Sequence, residues 1–293
     1  MPTLLVIGDS VMWGQGLLPA NKLDNAVFAY LKTQGADIKV NLAHSGAVIG
    51  SGIHENTPSI PGEVPENFPS ILRQVEMFTD DPGDVSWVIL NGGINDVSIK
   101  TILSPFTDDY TLAKIIQRDC GDAMIELLEK VSAKFKKATI LAVGYYPILS
   151  NQSDPTGVNT MISLFHGVTF NPWVRTDLIL DTVVEHCIQF WNQSRNAHIV
   201  AVDKVNSDVN GARIKYVDPC FKENNSVYAP DSWLFGLDPL LEPVDQVVDS
   251  RHQQCIDCED NLLLREICFR ASAGHPNAKG VAAIATACKT ALP

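Results

Sequence analysis

The stretch Thr3-Leu4-Leu5-Val6-Ile7-Gly8-Asp9-Ser10 determines how the rest of this chain is interpreted. Its first five residues form an apolar run that predicts a buried β-strand. Glycines follow at positions 8, 14 and 16, so the strand is expected to end abruptly and to leave Ser10 exposed at its carboxyl edge. Ligands of open α/β sheets bind at that edge, which makes it a suitable place for a nucleophile.

Apolar runs of the same kind recur along the chain, at Leu4 to Ile7, Ile38 to Leu42, Val85 to Leu90, Thr139 to Val143 and His198 to Val202. Longer stretches with helical spacing lie between them, such as Leu112 to Phe135 and Leu178 to Trp191. This alternation predicts right-handed crossovers and a mainly parallel sheet with helices on both faces. The expected fold class is therefore α/β, a flavodoxin-like three-layer α/β/α sandwich.

Residues 1–293 are expected to form a single domain, in which two stretches interrupt the alternation, at about 144–175 and 203–270. Both are interpreted as loop insertions rather than as new domains. If they follow the fourth and fifth strands, they wall the ligand crevice. Their aromatic residues and the segment Leu234 to Leu241 are candidates to line an acyl pocket, and ordinary packing under a long loop is the alternative.

Charge and hydropathy exclude several classes of protein. The 293 residues are 45% hydrophobic, and 22 Lys and Arg against 34 Asp and Glu give a net charge of -12. This sign is wrong for holding phosphate backbones, so no nucleic-acid partner is expected. No apolar run is long enough to cross a bilayer, and Met1 precedes the first strand without a basic or long apolar leader, so neither a transmembrane segment nor a signal peptide is expected.

The cysteines leave the cellular compartment open. Five of the seven lie in the last quarter of the chain, namely Cys220, Cys255, Cys258, Cys268 and Cys288. The pair in Cys255-Ile256-Asp257-Cys258 lacks the matched second pair that a zinc site needs, so no metal is expected. A structural disulfide or plain packing is the favoured interpretation, and disulfides would be compatible with a secreted mature form.

Two further short motifs supply groups that a serine nucleophile needs. They are Gly93-Ile94-Asn95-Asp96 in the middle of the chain and Gly274-His275-Pro276-Asn277 near its end. A serine hydroxyl is a poor nucleophile until an imidazole removes its proton, which makes Ser10 and His275 the natural pair. Asn95 follows a buried strand that breaks into glycines, so its amide is expected to point into the crevice; a helix cap is the alternative role.

Taken together, Gly8-Asp9-Ser10-Val11-Met12-Trp13-Gly14-Gln15-Gly16, Gly46, Gly93-Ile94-Asn95-Asp96 and His275-Pro276 resemble the four blocks of the SGNH subgroup of GDSL hydrolases. The resemblance spans nearly the whole chain. It implies catalytic roles for Ser10, His275, Gly46 and Asn95, with the oxyanion held by the N–H groups of Ser10 and Gly46 and by the Asn95 amide. It implies no cofactor and no metal. Gly46 is the least specific of these positions, because a simple turn glycine would look the same.

The sequence departs from this family at one position. The usual aspartate three residues before the histidine is replaced by Ser272. Either a main-chain carbonyl or hydroxyl near Ser272 orients His275, which gives a Ser-His dyad, or an acid of the cysteine-rich segment does so. The candidate acids are Asp257, Asp260 and Glu266. The dyad is the favoured interpretation.

The expected function is therefore that of a serine hydrolase, an esterase or lipase that cleaves carboxylic esters through an acyl-enzyme on Ser10. Its expected partner is a small-molecule or lipid ester, with apolar acyl groups favoured by the aromatic insertions. One alternative is a carbohydrate O-acetyl esterase. An alternative of another class is a catalytically inactive relative that binds a ligand in the same crevice. A flavin or nucleotide binder is disfavoured, because the first loop lacks the dinucleotide-binding glycine fingerprint and the P-loop lysine.

Overall fold

The protein is described by a computed structural model that covers residues 1–50, 69–166, 176–208, 212–241, 243–258 and 262–292. Within these ranges, five strands form one sheet in the order β2-β1-β3-β4-β5, and every pair of neighbours is parallel. The strands are β1 (Thr3–Ile7), β2 (Ile38–Asn41), β3 (Val85–Leu90), β4 (Thr139–Val143) and β5 (Ile214–Val217).

Helices connect the strands and extend the chain beyond the last one. A π-helical segment, Gln117–Asp122, joins α6 to α7. The α-helices of the described ranges are α1 (Ser10–Trp13), α2 (Leu23–Lys32), α3 (Ile71–Met77), α4 (Ile94–Val97), α5 (Ile99–Ile102), α6 (Asp109–Ile116), α7 (Ala123–Lys134), α8 (Pro155–His166), α9 (Thr176–Asp208), α10 (Val248–Cys258), α11 (Leu262–Phe269) and α12 (Ala278–Ala291).

The apolar runs are nearly continuous because the sheet is buried on both faces. Successive side chains of a strand point to opposite faces, so Leu4 and Val6 enter one hydrophobic cluster while Leu5 and Ile7 enter the other. The first cluster includes residues of α2 and α12, and the second includes residues of α3, α7 and the end of α9. The predicted α/β sandwich with a parallel sheet is confirmed.

The prediction of the fifth strand is wrong. His198 to Val202 lies inside the long helix α9, where burial recurs at Ala197, Ala201 and Val205 with helical spacing. The fifth strand is β5, which lies within the stretch 203–270 that was interpreted as an insertion. The second interruption of the alternation therefore starts after β5, and the extent of the single domain stays a prediction.

The order of the strands determines where a ligand can bind. The chain passes from β1 to β2 on one side and then returns to β3 on the other side of β1. This reversal opens a crevice between the carboxyl ends of β1 and β3. Ser10 follows β1 directly and Asn95 follows β3, so the topology brings two of the candidate site residues to one crevice.

A disulfide between Cys255 and Cys268 joins α10 to α11, with their Cα atoms 5.9 Å apart. It confirms the prediction of a structural bridge in this segment. Cys220 is an exposed free thiol, and the side chain of Cys258 lies outside the described residues. The described helices include none that is long and apolar enough to cross a bilayer.

Reduction of this bridge is expected to destabilise the protein. The bridge closes a loop of 13 residues, and a cross-link of that size lowers the entropy of the unfolded chain by an amount worth about 3 kcal/mol. We expect Cys255→Ser to lower the free energy of unfolding in urea by about that amount. The control Cys220→Ser, which removes an exposed free thiol, should leave it unchanged. Equal stabilities of the two variants would contradict this account.

Candidate active site

Ser10 begins the short helix α1 immediately after the first strand. The turn that allows this is made by Gly8, whose φ is +143°. A Cβ at Gly8 would lie 2.2 Å from Asn91 Oδ1, so only glycine fits between the ends of β1 and β3. Asp9 caps the helix, because its carboxylate accepts the Val11 N–H at 2.9 Å. Ser10 therefore lies on a turn whose backbone is fixed by Gly8 and by the Asp9 cap.

The fully buried carboxylate of Asp9 is the centre of a hydrogen-bond network. It accepts Asn91 Nδ2 at 2.8 Å and the Tyr145 hydroxyl at 2.6 Å. The Tyr145 oxygen in turn accepts the Ile94 N–H at 3.1 Å. Burial raises the pKa of Asp9, although its hydrogen bonds oppose the rise. Through these contacts, the loops that follow β1, β3 and β4 are held together, and Asp9 fixes the turn that carries Ser10.

His275 lies within hydrogen-bond distance of Ser10. Its Nε2 atom is 2.7 Å from Ser10 Oγ, across 265 residues of sequence. His275 lies just ahead of α12, whose first turn is capped by the Asn277 side chain. The backbone around it pairs with Phe235, which donates its N–H to the His275 carbonyl at 2.9 Å. The structure thus brings together the two residues that the sequence proposed as nucleophile and base.

The other ring nitrogen of His275 faces a neutral group. Nδ1 lies 3.2 Å from the main-chain carbonyl oxygen of Ser272, at the position where a carboxylate is usual in the family that the sequence resembles. The pKa of His275 is lowered to about 4, because desolvation by the surrounding protein and the nearby Arg251 charge together outweigh the opposing effect of the Ser272 carbonyl. The imidazole is therefore neutral at neutral pH and can accept a proton.

Two of the three acids proposed as third members of a triad are engaged by other side chains. The Asp257 carboxylate accepts Gln253 Nε2 at 2.9 Å, and Glu266 is paired with Arg270. Asp260 lies outside the described residues. Among the described residues, a main-chain carbonyl faces the ring of His275, and the dyad stays a prediction.

A buried ion pair behind the His275 segment was not found from the sequence. Asp245 and Arg251 are both fully buried and paired with each other. Arg251 Nε also donates to the Phe269 carbonyl at 3.2 Å, three residues before Ser272. An acid and a base six positions apart are common in any sequence, so only the folded structure distinguishes this pair from surface charges.

The turn that carries Gly46 faces Ser10 across the crevice. The His44 carbonyl accepts the Ala47 N–H at 3.2 Å, and Gly46 has a φ of +77°, as the third residue of a type II turn requires. Asn95 Nδ2 donates to the Ala47 carbonyl at 2.9 Å, which leaves the second hydrogen of this amide for a ligand. In the part of the chain that is described, no hydrogen bond uses the N–H of Ser10 or of Gly46.

A cavity of about 200 Å³ opens beside these residues. Polar groups of Ser10, Ser45, Asn95 and His275 lie at one end, and most of the remaining wall is apolar. The apolar side chains come from α1, α4, α5, α8, α11 and the loop after β4, and they are Val11, Ile94, Ile99, Leu103, Tyr146, Ile148, Met161, Phe165 and Ile267. Residues of both predicted insertions therefore line the cavity.

The segment that was proposed to line an acyl pocket lies elsewhere. The segment Leu234 to Leu241 does not line this cavity; Leu234 and Phe235 instead form isolated bridges with the backbone on either side of His275. His44, which precedes Gly46 by two residues, has its Nδ1 atom 2.9 Å from the Ser45 carbonyl and its ring centroid 5.8 Å from that of Trp13. The described residues include no group of three His, Cys, Asp or Glu side chains suited to a metal ion.

Comparisons with known proteins show the family and the fold of this chain. The family model described as GDSL-like lipase/acylhydrolase matches residues 4–287. An extracellular lipase from Streptomyces rimosus has a similar structure, with 12% identity, coverage of 98% of this chain and 100% of that chain, and a TM-score of 0.50. A lipase from a goat rumen metagenome has 13% identity, coverage of 99% and 97%, and a TM-score of 0.50. At these identities the structures show a shared fold. No curated protein matches the sequence significantly.

If the Ser272 carbonyl orients His275, the outlying acids are dispensable for catalysis. We expect Asp257→Asn and Glu266→Gln each to change kcat by less than about twofold, since neither carboxylate contacts the ring. Loss of a triad aspartate elsewhere lowers kcat by about 10⁴. Steady-state kinetics on an activated ester provides the measurement, and a fall of about 10³ in either variant would overturn the dyad.

Proposed function

The chain belongs to the GDSL-like lipase/acylhydrolase family and is a carboxylic ester hydrolase, and we propose that it acts through an acyl-enzyme formed on Ser10. The observation that carries this proposal is the 2.7 Å contact between Ser10 Oγ and His275 Nε2 at the end of a largely apolar cavity. A nucleophile within hydrogen-bond distance of a base that is itself oriented is the recurring arrangement of acyl-transfer enzymes.

In the first step, Ser10 Oγ attacks the ester carbonyl carbon while His275 Nε2 takes the hydroxyl proton. The bond to the leaving alcohol then breaks, and His275 returns the proton to that oxygen, which leaves the acyl group on Ser10. In the second step, His275 deprotonates a water molecule and the water oxygen attacks the acyl carbon. The bond from that carbon to Ser10 Oγ then breaks, which releases the carboxylic acid, and the proton passes from His275 to Ser10 Oγ. The low pKa of His275 keeps the base neutral and ready to accept a proton at neutral pH.

The negative oxygen of each tetrahedral intermediate needs preorganised donors. We assign this role to the N–H groups of Ser10 and Gly46 and to the second hydrogen of the Asn95 amide. The available N–H groups of the α1 turn and of the Gly46 turn support the assignment. All three donors belong to turns fixed at the carboxyl ends of β1, β2 and β3, so little reorganisation is needed during the reaction.

The apolar walls favour an acyl group longer than acetyl. A dry cavity of about 150 Å³ lined by Leu, Ile and Phe holds a molecule as large as benzene. The cavity beside Ser10 measures about 200 Å³ and is lined by Ile99, Leu103 and Met161 among others. An acetyl group would leave most of this surface uncovered, which disfavours a carbohydrate O-acetyl esterase and favours lipid or other medium-length acyl esters.

A fluorophosphonate probe and a series of p-nitrophenyl esters test this proposal. We expect the probe to label Ser10, and we expect Ser10→Ala to abolish both labelling and ester cleavage. Ser45→Ala, a control on the same cavity wall, should keep the label. The kcat/KM should rise from acetyl to medium-length acyl esters. An adduct on another serine of active protein would refute the assignment, and absence of both label and activity would favour the inactive ligand-binding alternative.

Replacement of Asn95 tests the oxyanion assignment. Asn95→Ala should lower kcat by about 10²–10³ with little change in KM, because its amide is assigned to charge that exists only in the transition state. The comparison is made with Asn206→Ala, since Asn206 binds the backbone of Ile214 at the far end of β5 and should leave kcat unchanged. A rise in KM alone would mean that Asn95 binds the substrate.

A further inference from the structure

Two neighbouring side chains of α4 hold the turn that carries Gly46. Asn95 Nδ2 donates to the Ala47 carbonyl at 2.9 Å. The next residue, Asp96, accepts the Ile49 N–H, with its two carboxylate oxygens at 3.1 and 3.0 Å from the nitrogen. The Ile49 side chain also packs so tightly on Gly92 that an added Cβ there would lie 2.7 Å away. The segment after β3 therefore fixes the segment after β2.

We propose that Asp96 is a positioning residue for the oxyanion hole: its carboxylate holds the Gly46 turn through the Ile49 N–H, and ionisation of this carboxylate sets how firmly the turn is held. This inference rests on the function proposed above. Asp96 acts through the turn and need not touch the substrate. Both groups that it aligns, the Gly46 N–H and the adjacent Asn95 amide, must meet the same oxygen atom for the reaction to be fast.

The surroundings of Asp96 are unfavourable for a charge. The pKa of Asp96 is raised to about 6, because burial and the charges of Asp119 and Asp9 together outweigh the opposing hydrogen bond from the Ile49 N–H. Cys120 and Arg118 also lie in the electrostatic environment of Asp96. The guanidinium of Arg118, however, is engaged by Asp119 at 2.6 and 2.8 Å. Thus two acids and one engaged cation share the space around Asp96.

This environment has a definite consequence for stability. A carboxyl whose pKa is raised on folding stabilises the protein at pH values below its ordinary pKa, and that contribution is lost as the pH rises through the folded pKa of about 6. An asparagine at this position would avoid the loss at neutral pH and could still accept the Ile49 N–H. At neutral pH the ionised Asp96 lowers the stability of the folded protein, and it lies beside the turn that carries Gly46. A charge that destabilises the fold at such a place is expected to have a functional role.

The same titration links the turn to pH. Below about pH 6 the Asp96 carboxyl becomes neutral, and its hydrogen bond to the Ile49 N–H loses about half of its strength. The Gly46 turn is then held less firmly, so kcat should fall while KM stays nearly constant, because the oxyanion donors act in the transition state. The limb near pH 6 is distinct from that of His275, whose pKa lies at about 4.

The test is the pH dependence of kcat for the wild type and for Asp96→Asn, with a p-nitrophenyl ester as substrate. The wild type should lose activity as the pH falls through about 6. Asp96→Asn mimics the neutral acid, so at pH 8 its kcat should be about fivefold lower, the difference between a charged and a neutral hydrogen bond. Its KM should be unchanged and its profile flat near pH 6. Its Tm at pH 7 should be higher than that of the wild type.

Asp119→Asn is the matched control, because it removes a nearby negative charge without touching the Gly46 turn. It should keep the wild-type kcat at pH 8 and move the acidic limb to lower pH. A limb near pH 6 that persists in Asp96→Asn, or a wild-type kcat in that variant, overturns the proposal, and so does a parallel loss of Tm and kcat. Fluorophosphonate labelling of wild-type Ser10 separates the two claims: with Ser10 labelled, only the role of Asp96 falls, and without it both fall.

Discussion

The buried carboxylate of Asp9 is the interaction on which the candidate site depends. The loops that leave the carboxyl ends of the parallel strands lie outside the hydrogen-bonded sheet. They need a common contact to hold them in fixed positions. Asp9, which follows β1, provides this contact. Its carboxylate accepts hydrogen bonds from Asn91, which follows β3, and from Tyr145, which follows β4. The Tyr145 hydroxyl extends the network to the Ile94 N–H, next to Asn95. Ser10 and Asn95 are thus positioned by one buried carboxyl group.

His275, the proposed base, is positioned by other contacts. In the part of the chain that is described, no carboxylate is hydrogen-bonded to His275, and the Ser272 carbonyl faces its Nδ1 atom. A neutral acceptor fixes the tautomer but does little to stabilise the imidazolium that forms during catalysis. In the proposed dyad, the orientation of His275 is therefore expected to depend more on the rigidity of the backbone than it would in a triad. The Arg251 contact with the Phe269 carbonyl and the disulfide from Cys255 to Cys268 both stiffen the segment that leads to Ser272.

The sequence predicted those parts of the structure that rest on local pattern. The predictions of four strands were correct, because parallel strands that are buried on both faces have continuous apolar runs in their sequence. The fifth was wrong because the run at His198 also fits the buried face of a helix, and periodicity cannot separate the two over five residues. Ser10, Asn95 and His275 were proposed from short motifs, and the fold brings them to one crevice. Tyr145 was missed because it lies 136 residues from Asp9, and the Ser272 carbonyl was not identifiable because every residue carries one.

The rate at which Ser10 reacts with a fluorophosphonate in Tyr145→Phe tests the Asp9 network most directly. The substitution removes only the hydroxyl, and it leaves a buried carboxylate oxygen and the Ile94 N–H without this partner. The appropriate control is Tyr216→Phe, because the Tyr216 hydroxyl is buried and has no hydrogen-bond partner in the described part of the chain. The account predicts that Tyr145→Phe slows labelling of Ser10 by about tenfold or more while the circular dichroism spectrum is retained, and that Tyr216→Phe reacts at the wild-type rate. A wild-type rate in folded Tyr145→Phe would contradict it.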